Sequence, residues 1–538
     1  MAIPGVAWAT GLSVSTPIIV AQDTTSDYYD IQMDVAWNNS WFITGAPASN
    51  ANWDAAWLFV KFSIWNSGSS SWGGWQHATL SKTTANHYAP SGSLIAVGCS
   101  PSSACGGADA GKGILLYRDS AGTGSVNFTG TRLRWLYGAD GVSDSDRVKI
   151  SVFGIEMVYI PTASFFVGDG SANPAGNFGV VQVNNGSFSG NIIADSTYDS
   201  NDDDATIRGG GISAGSLNAG FPTGYNKFYV MKYDITQRQY AAFLNTLTRT
   251  QQSARVAADI SADAPDYRYV MSAFASVQNR DAIAAPASGN GTTAPITFGC
   301  DLDGNSTLDE ASDGGWDTAV NLNWPDTAAY LTWAGLRPVT ELEFEKASRG
   351  PSAVVADEYA WGDASVYNIA GVSNDYALSS AGTNAEGVSN TAAGTGNAAY
   401  YETSCDNGPN YNCGPLRAGI FAASAATKNR QETGGSYYGV MGLSGNVWKF
   451  AVTVGNATGR AYDGTHGSGA LSAAGYAAQA AWPGYVAGEV TGATGSGFRG
   501  GGWISQATSM RVSDRSFASV ASTTRANVYS ARGAHTAP

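Results

Sequence analysis

Apolar and polar residues alternate with a period of two near the start of the chain. Ile31, Met33, Val35 and Trp37 are separated by Gln32, Asp34 and Ala36, the pattern of a strand with one buried face. Apolar runs at residues 57–64, 114–117, 131–137 and 148–155 predict further strands. The Gly, Ser and Asn clusters between them, among them Asn66-Ser-Gly-Ser-Ser-Ser-Trp-Gly-Gly74, predict turns. Residues 1–153 are therefore expected to form an antiparallel, all-β sandwich domain. That region holds nine of the 16 tryptophans, which suits a thin two-sheet core, with a sugar-binding platform as the competing reading. Ahead of the first strand lies an apolar arm, residues 3–21, interrupted by Pro4, Gly5, Gly11 and Pro17 and so ill suited to a membrane helix. It can donate a strand to a neighbouring copy or pair within its own sheet.

Farther along, the period changes to that of a helix. Tyr240, Phe243, Leu244 and Leu247 form an i, i+3, i+4, i+7 stripe, preceded by a capping box of Thr236 with Gln239 and a staple of Ile235 with Tyr240. A second helix is predicted after Trp324-Pro325, stopped by Gly335, and a third after Thr340, boxed with Glu343 and stopped by Gly350. Residues 351–440 show no period and are crowded with Gly, Ala, Ser, Asn and Thr. Packed loops and disorder are both open there, and Trp361, Tyr367, Tyr400, Tyr401, Tyr411 and Phe421 supply anchors that favour loops.

Several of these segments carry recognisable motifs. Gly439-Val-Met-Gly-Leu-Ser-Gly-Asn-Val-Trp-Lys-Phe450, Phe498-Arg-Gly-Gly-Gly-Trp503 and Arg511-Val-Ser-Asp-Arg515 together resemble the closing core of formylglycine-generating enzymes, the sulfatase-modifying family. Leu336-Arg-Pro-Val-Thr-Glu-Leu-Glu-Phe-Glu345 and Tyr359-Ala-Trp-Gly362 are similar to that family's helix motif and its continuation, and residues 157–168 and 228–245 to its opening elements. The resemblance implies that residues 154–538 are an α+β, loop-rich C-type-lectin-like domain. It also implies where copper chemistry would reside, since active members carry two copper-binding cysteines between the Gly-Gly-x-Tyr/Trp turn and the following arginine motif. Here that interval reads Ile504-Ser-Gln-Ala-Thr-Ser-Met510, and no cysteine follows Cys413. No copper is expected, because soft thiolates select Cu(I). The family's calcium-binding Gly-Asn-x-Trp-Glu turn ends here in Lys449, whose ammonium is expected to take the cation's place. No catalytic residue is assigned. Trp503, Ser505, Gln506 and Arg511 are the candidate ligand-facing residues, while Arg499 and Arg515 either clamp an anion or knit loops together. The phrase Asp34-Val-Ala-Trp-Asn-Asn-Ser-Trp41 also looks like a module placed ahead of secreted family members.

Asp301-Leu-Asp-Gly-Asn-Ser-Thr-Leu-Asp-Glu310 sets oxygen ligands at alternating positions. Asp301, Asp303, Asn305 and Asp309 are therefore candidate calcium ligands, against the alternative of a solvated acidic turn. The run Asp199-Ser-Asn-Asp-Asp-Asp204 is a weaker candidate of the same kind. Cys99 with Cys105 and Cys405 with Cys413 read as small-loop disulfides, leaving Cys300 over.

Charged residues make up only 13% of the 538, against about 25% in ordinary soluble proteins. A net charge of −14 argues against nucleic acid as a partner. The first basic residue is Lys61, so no positive leader opens the chain. A mature extracellular or cell-surface chain is expected, with cytosolic retention as the alternative. Three functions compete. The favoured one is a non-catalytic structural or adhesive subunit that assembles with copies of itself, its neutral surfaces buried between copies. The second is a display protein whose C-terminal lectin-like face binds a surface glycan or protein. The third is a formylglycine-generating oxidase, which the missing cysteines disfavour.

Overall fold

The computed structural model describes residues 11–45, 50–98, 111–170, 178, 180–184, 217–262, 268–286, 291–369, 376–401 and 413–538. Cys99, Cys105, Cys405, Tyr411 and the acidic run at 199–204 lie outside them.

The alternating segment is part of a long strand, Tyr28–Ile43, and Ile31, Met33, Val35 and Trp37 are all buried, as their spacing predicts. One edge of this strand pairs with Gly122–Trp135, the other with Ser13–Val14 and Ile18–Asp23. The described part of the apolar arm thus pairs within its own sheet. Asn52–Asn66 joins Tyr28–Ile43 only at Phe42↔Trp53 and Ile43↔Asn52, then pairs with Ile114–Arg118 and, at length, with Val148–Ile160. The ring of Phe62 packs 4.6 Å from that of Trp135, so side chains of Asn52–Asn66 meet those of Gly122–Trp135. Phe42, Trp53 and Tyr159 stand at successive cross-strand positions, with Trp53 stacked on Tyr159 at 3.7 Å and on Phe42 at 5.0 Å. Rings stacked on one another have little face left for a sugar, and Trp37, Trp57 and Trp135 are buried.

Val148–Ile160 does not stop at the expected domain division. Its last four residues pair with Phe228–Met231, from Met157↔Met231 to Ile160↔Phe228. Phe228–Met231 pairs with Gly533–Thr536, and that strand with Arg337–Pro338. A single sheet path therefore runs from the N-terminal region into the C-terminal one. Side chains reinforce it: Trp57 Nε1 donates to the Ala334 carbonyl at 2.8 Å, and Lys61 Nζ to those of Trp333 and Gly469, each at 2.7 Å.

The helices begin where the capping residues place them. Gln237–Leu244 starts behind Thr236 and Gln239, and Glu341–Arg349 behind Thr340 and Glu343, both as full capping boxes. Trp324–Trp333 carries Pro in its first turn, is capped by Asn323 with Asp326, and ends before Gly335 at φ 69°. A further helix, Arg249–Arg255, starts behind a Thr248/Gln251 box that the apolar pattern did not disclose. Between residues 351 and 440 the described elements are short, among them the parallel pair Val366–Asn368 with Gly396–Ala398 and the helix Ile420–Ser424. Trp361 and Tyr376 are buried there, so this region packs with little regular structure. Among the described residues, no helix is long and apolar enough to cross a membrane.

Candidate functional site

The helix Glu341–Arg349 is buried along its whole length although it carries five charged side chains, because four of them meet an opposite charge and the fifth, Lys346, is bonded by backbone carbonyls. Glu341 accepts from Arg499 Nη1 at 2.9 Å, Arg515 Nε at 2.7 Å and the Val454 N–H at 2.7 Å. Burial alone would raise its carboxyl, but the Arg515 and Arg499 guanidinium groups hold it below the ordinary range. Glu343 forms a two-pronged pair with Arg337, at 2.7 and 2.9 Å. Glu345 accepts from Arg499 Nη2 at 2.7 Å and from Arg349. Arg499 and Arg515 are thereby used inside the protein, and they knit loops to this helix. Lys346 faces no carboxylate within bonding distance; its amine donates to the carbonyls of Pro161, Gly224 and Tyr225, and burial pushes it down to about 7.

The strand Trp448–Val452 lies between Ser496–Arg499 and Tyr529–Ser530, which brings the glycine turn at 445 beside residues 500–510. Lys449 is buried and donates to the Gly445 carbonyl at 2.6 Å. Burial pushes it down to about 7. Trp503, expected to face a ligand, instead turns inward: it is 2% exposed, and its ring N–H donates to the Asn527 carbonyl at 3.0 Å. The apolar body of the indole accounts for this, since the inner side of the turn offers both packing and an acceptor. Ser505 is half-buried and its Oγ accepts from the Gly502 N–H at 2.9 Å, which closes the turn on itself. Gln506 is exposed. Arg511 is partly exposed and pairs with Asp357 at 2.9 Å. Met510 is buried against Tyr359, Trp361 and Ala398. His466 and His535, whose rings lie 4.3 Å apart, are buried, and burial pushes His466 down to about 3.

Cys413 is disulfide-bonded, and Cys300 is a buried free thiol that burial pushes well above its ordinary pKa. Such a thiol stays protonated and is a poor nucleophile.

The acidic loop closes differently from the alternating pattern. Asp301 and Asp303 do come together, but their third neighbour is Asp313. Asp309 Oδ1 accepts from the Cys300 N–H at 3.1 Å and Asn305 Oδ1 from the Thr307 N–H at 2.7 Å, so both stabilise turns. Asp313 could not be found by spacing, since it stands beyond the twelve positions of the familiar calcium loop.

A cavity of about 660 Å³ opens elsewhere, lined by Phe221, Arg337, Glu343, Asp463 and His466 among others. Its Arg337 and Glu343 are already committed to each other.

Residues 190–527 match the family described as the Sulfatase-modifying factor enzyme 1-like domain. No curated protein matches the chain.

Proposed function

We propose, on the premise that the chain belongs to the Sulfatase-modifying factor enzyme 1-like family, that it is a secreted, non-catalytic surface subunit that assembles with copies of itself. One observation carries this reading. The strand Ile18–Asp23 pairs with Tyr28–Ile43 alone among the described strands, and Ile18, Ile19 and Val20 are 53%, 41% and 41% exposed. Monomers defend such an edge with charge, proline or a bulge. Here the only defence within the three aliphatic residues is a bulge after Ile19. An antiparallel strand from a second copy would satisfy the open backbone groups and bury the aliphatic side chains.

The finer architecture belongs to the same reading: a β-sandwich whose layers meet through contacts such as Phe62 on Trp135, ahead of a C-type-lectin-like core. The absence of activity rests on residues 504–510, which offer no thiolate for copper, and on Ser505, whose oxygen is bound within its own turn. Lys449 at the family's calcium turn supports the loss of that ion as well, because its amine occupies the Gly445 carbonyl.

Ligand display is the second reading. It draws on the adjoining exposed residues Ile504, Gln506, Thr508 and Tyr401, the last held by its N–H on the Ser505 carbonyl at 2.9 Å. Light scattering and electron microscopy on the full chain and on Ile19→Lys separate the two. Self-assembly predicts filaments or sheets from the wild type and monomers from the variant. A wild type that stays monomeric at high concentration overturns the assembly reading and leaves a glycan or protein ligand.

A further inference from the structure

Asp301 follows directly on the short strand Gly299–Cys300, which is pinned by its pairing with Ile283–Ala284. Asp313 ends the loop just before Gly314, which turns at φ 66°. Asp301, Asp303 and Asp313 each bring a carboxylate oxygen within 4.8 Å of the others. Asp301 is 0% and Asp313 1% exposed. One oxygen of each is engaged: Asp301 Oδ2 accepts from Arg268 Nε at 2.7 Å, and Asp313 Oδ2 from the Glu310 N–H at 2.6 Å. The other two, Asp301 Oδ1 and Asp313 Oδ1, are buried with no hydrogen-bond partner.

Two bare, buried oxygens on carboxylates gathered with a third acid are a costly arrangement, since each unpaired polar group forfeits its solvation. Arg268 offsets part of the charge from one side only. A hard cation placed among the three acids would supply the missing partner to both bare oxygens. Calcium bonds oxygen at about 2.3–2.6 Å, so ligands across the ion stand up to about 5 Å apart, a span these carboxylates meet without moving.

We infer that Asp301, Asp303 and Asp313 bind one calcium ion, with water filling the remaining coordination positions. Asp309 and Asn305 are not ligands in this arrangement. The ion would fasten the loop to the turn at residues 314–317, which in turn holds the helix Gln237–Leu244 through Gln237 N–H on the Asp317 carbonyl at 2.9 Å. Calcium would therefore be felt in the stability of the whole chain, since it binds the folded state alone.

Terbium and calcium are the probes, used on the full chain. Terbium emission excited through Tyr269, whose hydroxyl lies 3.4 Å from Asp301 Oδ2, is expected to appear on binding and to be displaced by calcium. Thermal unfolding is expected to shift upward in calcium relative to EDTA. Asp313→Asn should weaken calcium binding at least tenfold, while Asp309→Asn should leave it within about twofold. If Asp313→Asn does not fold, Asp303→Asn, at an exposed position, provides the same reading. Absence of displaceable terbium emission in the wild type overturns the proposal. So does a calcium response that survives the Asp313 and Asp303 substitutions, or one that Asp309→Asn removes from a folded protein.

Discussion

Lys449 donates its side-chain amine to the carbonyl of Gly445 across 2.6 Å, inside the protein. Burial pushes this lysine, like Lys346, down to about 7. Between about 7 and the usual lysine range near 10.5, the unfolded chain holds protons that the folded chain does not. Stability is therefore expected to rise with pH from 7 to 9, by up to about 1.4 kcal/mol per pH unit for each lysine. Urea unfolding at fixed salt measures it. Lys449→Met should lower the slope without abolishing it, because burial also pushes Lys346 and Lys61 down, and a profile that is flat in the wild type would contradict the assignment.

Removing the Glu341 carboxylate strands two buried guanidinium groups. Glu341→Gln is expected to destabilise the chain by about 3–5 kcal/mol, the usual cost of breaking a buried pair from one side. A loss below about 1 kcal/mol in denaturant unfolding would mean that Arg499 is held by Glu345 alone and that Arg515 reaches water.

Two capping boxes of the same pattern, one closed by Glu343 and the other by Gln251, sit in different surroundings. Thr340 is buried and also donates to the Pro222 carbonyl at 2.8 Å, whereas Thr248 is exposed. Thr340→Ala should cost about 2 kcal/mol and Thr248→Ala under about 1 kcal/mol. Equal losses would show that the caps act only through the helix backbone.

Copper-loaded protein incubated with a sulfatase-type cysteine peptide is expected to leave the peptide unoxidised by mass spectrometry, because residues 504–510 provide no soft ligand. Turnover of the peptide would refute the non-catalytic reading directly.

Because Val148–Ile160 pairs with strands of both regions, the chain is expected to unfold in one transition. Calorimetry tests this, and two separable peaks would argue that the shared strand frays without consequence.

What the amino-acid order disclosed was local. Thr236 with Gln239 and Thr340 with Glu343 announce helix starts because a cap needs only four neighbouring residues. The burial of Ile31 through Trp37 follows from the pleat in the same way. The helix Arg249–Arg255 escaped notice because its residues, Arg-Thr-Gln-Gln-Ser-Ala-Arg, carry no apolar stripe, although the Thr248/Gln251 spacing was there to be read. Partners distant in the chain were not legible at all. The apolar run at residues 148–155 announces a strand but not that both its faces are buried, nor that Ala55 and Met231 flank Met157. The site shows the same limit: Asp301 and Asp303 follow from spacing, while Asp313 joins them only through the turn of the loop, and Trp503 faces inward because Asn527 offers an acceptor there.

The strand shared by the two regions also bears on how the molecule would carry load. A pull applied at the outer edge of the N-terminal sheet would not stretch a tether. It would pass through Asn52–Asn66 into the eleven register pairs from Val148↔Ile64 to Val158↔Asp54, and from there into Phe228–Met231. Where the force runs along such strands, their hydrogen bonds are loaded in shear and must give way together. A molecule wired in this manner would transmit tension from one region to the other stiffly.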